Sequence, residues 1–113
     1  MGDQQFRRDE RIEAKNLVSY ELYDSSGNII EEGMAVTLNI SRSGALLKVK
    51  KPFPSNAQLG LIVAIENDIV EVESVTRHCE PAEDGDYNVG VKFVAITEEQ
   101  IQQLAKHFPE ILG

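Results

Sequence analysis

Val18-Ser19-Tyr20-Glu21-Leu22-Tyr23, followed at once by Asp24-Ser25-Ser26-Gly27-Asn28, decides the fold class. Val18, Tyr20 and Leu22 alternate with Ser19, Glu21 and Tyr23, the period of two that a half-buried strand shows. The five residues after them are dense in turn formers and reverse the chain. Outward from this unit the pattern repeats. Residues 29–40 read as a second strand with Met34, Val36, Leu38 and Ile40 on one face, and residues 44–50 read as a third. Pro52-Phe53-Pro54 ends the third, because proline cannot donate to a ladder. Residues 59–65 and 69–78 form a fourth and a fifth strand joined by Glu66-Asn67-Asp68. In the fifth, Val70 and Val72 are the apolar positions and, after a switch near Ser74, Val75. An acidic loop over residues 80–86 leads to a sixth strand, residues 87–94, alternating through Tyr87, Val89, Val91 and Phe93.

The last element has a different period. Thr97-Glu98-Glu99-Gln100 is a helix start, with Thr97 as cap and Gln100 as its capping-box partner. Ile101, Leu104, Ala105 and Phe108 then fall at helical spacing on one stripe, and Pro109 ends the helix. Six short strands followed by one helix predict an all-β fold, a six-stranded antiparallel β-barrel with a C-terminal α-helix. Residues 1–13 lack an apolar period and read as a flexible N-terminal arm; residues 14–113 form a single domain. At this length about two thirds of the unfolded surface can be buried without disulfide or metal.

Eleven basic against nineteen acidic residues give a net charge of −8, which argues against DNA or RNA as partner. The cations are unevenly placed: Arg42, Lys48, Lys50 and Lys51 fall in a stretch without an acid, and Arg7, Arg8 and Arg11 lie in the arm. That is the charge map of a small anion site on an anion-repelling body. A single cysteine, Cys79, makes a reduced, cytoplasmic setting the expectation. No apolar run reaches the length of a membrane span or signal peptide, so membrane insertion is not expected.

Two short runs carry the chemistry. Arg7-Arg8-Asp9-Glu10-Arg11 sets two arginines four apart with a third beside them. A guanidinium grips a phosphate or the O6/N7 edge of guanine through two parallel hydrogen bonds, and stacks on a purine. Asn39-Ile40-Ser41-Arg42-Ser43-Gly44 is the second run. Asn39 can accept and donate at a guanine edge, Ser41 offers a compact hydroxyl, and Gly44 allows a positive φ and close approach of a ligand to the backbone. The same residues also suit an ordinary strand-to-strand turn.

In this order and spacing, RxxxR and (D/N)xSxxG resemble the two signature elements of the PilZ domain family, best known as receptors for cyclic di-GMP. Val89-Gly90-Val91-Lys92-Phe93 is similar to the G-x-x-F of that family's last barrel strand, and the resemblance covers about residues 6–108. It implies a bacterial protein in which the arginine arm closes over the ligand against the outer barrel surface. Arg7 and Arg11 would hold guanine and phosphate, Arg8 would assist, and Asn39, Ser41 and Gly44 would form the opposing wall, with Arg42 and Ser43 as secondary contacts. Many members carry Gly-Gly where this chain has Ser43-Gly44, and aromatic or apolar residues where it has Asp9-Glu10.

Nothing points to an enzyme, a metal or a cofactor other than the ligand. His78 and Cys79 are adjacent and face opposite sides of a strand, and Ser41 has no evident base. Glu66/Asp68 and Asp84/Asp86 lack the frame of a calcium loop. The expectation is therefore a cyclic di-GMP receptor or adaptor acting through a separate downstream protein. The alternative is a ligand-independent module whose barrel face or amphipathic helix docks a partner.

Overall fold

A computed structural model describes residues 16–112; the expected arm of residues 1–13, with Arg7, Arg8 and Arg11, lies outside them. Six antiparallel strands follow in chain order: β1 (Asn16–Tyr23), β2 (Ile29–Ile40), β3 (Gly44–Val49), β4 (Gln58–Ile65), β5 (Asp68–Pro81) and β6 (Tyr87–Ala95). They close into a barrel in the order β1-β2-β3-β6-β5-β4, with β4 returning to β1. Helix α1 (Glu98–Ala105) and a 3-10 turn (Pro109–Leu112) complete the chain.

Alternation builds the interior. Val18, Tyr20 and Leu22 of β1 point inward, as do Leu59, Leu61 and Val63 of β4 and Val89, Val91 and Phe93 of β6. The β1–β2 reversal is held by Asp24, whose Oδ1 accepts from the backbone N–H groups of Ser26 and Asn28, each at 2.9 Å, with Gly27 at φ +87°. Those donors, Asn28 first, hold the Asp24 carboxyl below its ordinary pKa.

Two strands depart from their predicted faces. In β2 the inward residues are Ala35 and Thr37, while Met34 stays 54 % exposed and Val36 and Leu38 face outward. A bulge at Leu38 then reverses the parity and returns Ile40 to the core. In β5 there is no switch at Ser74. Ser74 and Thr76 continue the inward alternation of Val70 and Val72, and Val75 faces outward. Both polar groups are satisfied inside: Ser74 Oγ donates to the Leu59 carbonyl at 2.9 Å, and Thr76 Oγ1 donates to the Pro54 carbonyl and accepts from Ala57 N–H at 2.8 Å.

The helix starts as expected, with Thr97 and Gln100 exchanging both capping-box bonds. It ends at Ala105, before Pro109, which opens the 3-10 turn instead. Ile101, Leu104 and Phe108 are buried in the same apolar cluster as the barrel interior, joined by Ile111 from the 3-10 turn and Phe53 from the β3–β4 connection. The apolar stripe of the helix is thus packed against its own barrel. Polar ties fix it from outside: Gln100 Nε2 donates to the Glu71 carbonyl at 2.6 Å, and His107 Nε2 lies 2.9 Å from Asp68 Oδ2.

Candidate functional site

The polar turn that joins β2 to β3 closes on itself. Ser41 N–H donates to the Gly44 carbonyl at 2.8 Å, Ser43 N–H to Ser41 Oγ at 3.3 Å, and the two serine hydroxyls are 3.2 Å apart. Phe93 N–H of β6 donates to the Ser43 carbonyl at 2.8 Å and pins the turn to its neighbour strand. Gly44 does not occupy the left-handed region; among the described residues the glycines that do are Gly27 and Gly85. A Cβ at Gly44 would run into the Val91 carbonyl oxygen and lie 3.2 Å from Lys92 Cα. Glycine is required here by strand-to-strand contact rather than by turn conformation.

Asn39, Ser41, Ser43 and Gly44 border an open hollow of about 370 Å³ on the outer barrel surface. Its floor is a single row across four strands: Asn39 of β2 pairs with Leu46 of β3, Leu46 with Gly90 of β6, and Gly90 with His78 of β5. At ordinary strand spacing the row is about 14 Å long. Both ends depend on bulges. Uninterrupted alternation after Thr37 would point Asn39 into the core, and after Thr76 it would do the same to His78. The extra residues Leu38 and Arg77 turn both outward, and both are exposed. Bulges beside binding sites commonly re-aim side chains in this way.

Some of the expected site residues border this hollow and others do not. The structure brings together Asn39, Ser41, Ser43 and Gly44. Arg42 is not part of the lining: its Nη2 donates to Glu98 Oε1 of α1 at 3.1 Å. Two other cations of the basic stretch are engaged with the acidic β5–β6 loop, Lys48 with Asp84 and Lys50 with Asp86. Asp84 holds the Lys48 ammonium above its ordinary pKa, chiefly through their hydrogen bond, and Lys48 lowers that of Asp84. The basic run therefore does not act as one patch. The cations along the hollow come instead from β5 and β6, Arg77 and Lys92, which the sequence did not mark as site residues; His78, weighed there as a metal ligand, lines the same hollow. The available signal was the Thr76-Arg77-His78-Cys79 stretch, where strict alternation would have buried an imidazole.

Ser41 has its described hydrogen bonds within its own turn, and no cluster of metal-ligating side chains exists among the described residues. No described helix is long and apolar enough to cross a membrane. The arrangement can hold a ligand by shape, stacking and charge.

The chain matches the family model of the PilZ domain over residues 5–108. No curated protein matches it. Among solved structures it is similar to K. pneumonia MrkH in its apo state, at 16 % identity and a TM-score of 0.57, covering 84 % of this chain and 46 % of that one. A P2(1) crystal of the same protein gives 15 % identity and a TM-score of 0.58, over 84 % and 44 % of the two chains. The chain thus spans less than half the length of those chains, and the likeness is one of fold. With the family model matched along nearly its whole length, the chain belongs to the PilZ domain family.

Proposed function

We propose that this chain is a cyclic di-GMP receptor that acts as an adaptor in the cytoplasm. The observation that carries the reading is the four-strand row from Asn39 to His78, bordered by Ser41 and Ser43 and flanked by Arg77 and Lys92. It is a polar-ended, cation-edged floor of the kind an anionic, purine-bearing ligand needs. The family resemblance assigns the opposing grip to Arg7 and Arg11, with Arg8 assisting, in a chain segment close to the start of β1. Arg77 and Lys92 add positive potential on the barrel side, which matters on a chain of net charge −8. Arm and ligand together would create a new surface for a downstream protein. Ordering residues of such an arm costs about 1–2 kcal/mol each in backbone entropy, which charge-assisted contacts must offset.

Calorimetric titration with cyclic di-GMP tests this, run beside an Arg7→Ala/Arg11→Ala variant. Saturable heat from the parent chain and its loss in the variant is the expected result. A parent chain that takes up no ligand refutes the receptor role and leaves the barrel exterior as the remaining interaction surface. There Leu17 pairs with Val36, beside the exposed Met34.

A further inference from the structure

We propose that His78 is a stacking platform for one purine base of the ligand, held in place by the absence of a side chain at Gly90; this rests on the receptor reading above. His78 and Gly90 are directly paired across β5 and β6. A Cβ built on Gly90 would lie 2.8 Å from His78 Nε2 and 3.0 Å from Nδ1, closer still to Cε1. Three ring atoms so near one point place the imidazole over the glycine Cα, filling the space a side chain would take. Gly90 is buried in consequence, whereas His78 itself is exposed and lines the hollow.

An aromatic ring lying across a strand, backed by backbone and open above, is preorganised for a flat partner. The Arg77 bulge gives the ring this direction, and Arg77 itself lines the same hollow. A base on His78 occupies one end of the row and leaves the other, with Asn39 and Ser41, for hydrogen bonds to polar edges. Stacking is indifferent to base identity, so His78 supplies affinity and Asn39 supplies discrimination. The ring covers the Gly90 backbone with one face and leaves the other open to the hollow.

The test is titration of the parent, His78→Ala, His78→Trp and Gly90→Ala chains with cyclic di-GMP, with the ring protons of His78 followed by NMR. His78→Ala is expected to weaken binding about fivefold to a hundredfold, the range of a lost base stack. His78→Trp is expected to restore it, and Gly90→Ala, which displaces only the far end of a side chain, to weaken it with the barrel intact. In the parent, the His78 ring protons move upfield on ligand addition while those of His107 do not. A parent that binds while His78→Ala binds equally well, or while the His78 protons stay still, overturns the platform and spares the receptor reading. A parent that does not bind overturns both.

Discussion

Gly44 lies so close to Val91 that the Val91 carbonyl oxygen fills the place of a Gly44 side chain. These residues sit on adjacent strands, where Gly44 pairs with Lys92 and Ala45 with Val91. The glycine that marks the signature turn is therefore a packing requirement of β3 against β6. Gly44→Ala is expected to cost about 1–3 kcal/mol, the scale of overpacking against a backbone that cannot yield. Thermal unfolding followed by circular dichroism should show a midpoint about 5–15 °C lower. An unchanged midpoint would mean that the strands are not held this closely.

Arg42 presents the opposite case. Its pair with Glu98 is half exposed on both sides, at 50 % and 65 % for the two side chains. Such pairs contribute about 0–1 kcal/mol and weaken with salt. Arg42→Ala is expected to leave the melting midpoint within a few degrees, and to change cyclic di-GMP affinity far less than Ser41→Ala does. Parallel calorimetry on the two variants checks the ranking.

The helix end is tied down by a titratable contact. His107, with Lys106 beside it, holds the Asp68 carboxyl below its ordinary pKa, the hydrogen bond to His107 being the largest cause. A carboxylate with a depressed folded pKa adds stability that is fully present above its unfolded value, near 3.9, and is lost as pH falls through the folded value. Melting midpoints measured downward from about pH 5 should therefore fall less steeply in Asp68→Asn than in the parent. Equal slopes would refute the clamp.

Tyr20 supplies the alkaline counterpart. Burial first, and then its hydrogen bond to Glu31 at 2.9 Å, push its hydroxyl up to about 12. An acid whose folded pKa is raised adds stability that is intact below the unfolded value of 10.0 and disappears as pH rises toward about 12. Tyr20→Phe keeps the edge-to-face contact with Phe53, now 5.0 Å between centroids, and removes the ionisable group. The variant should lose less stability between those two pH values, as read from denaturant midpoints across the range.

Strand number and helix start were legible because they are written in local periods, and the turn of Asn39, Ser41 and Gly44 because its residues are neighbours in sequence. Alternation marked β1, β4 and β6, and the Thr97–Gln100 pair marked the helix N-terminus. The rest depends on where an extra residue is inserted. Leu38 and Val75 are apolar and outward, whereas Ser74 and Thr76 are polar and inward, so composition pointed to the wrong face of β2 and to a false switch in β5. The placement of Arg77 and His78 in one row with that turn stayed hidden for the same reason. Phe53 and Ile111 enter the core from a connection and from the 3-10 turn, segments with no period to read. The pairings that draw Lys48 and Lys50 toward Asp84 and Asp86 join segments 36 residues apart.

The paired bulges at Leu38 and Arg77 make the local backbone path, as much as residue identity, a determinant of this surface. Drawn straight without those kinks, the same residues would carry an amide and an imidazole into an oily interior and expel Ile40 and Cys79 to water. Most substitutions on the same strands would leave that inside-out arrangement untouched. Removing Leu38 or Arg77 altogether, by contrast, would leave Asn39 or His78 outward on a plain strand and cost only the kink.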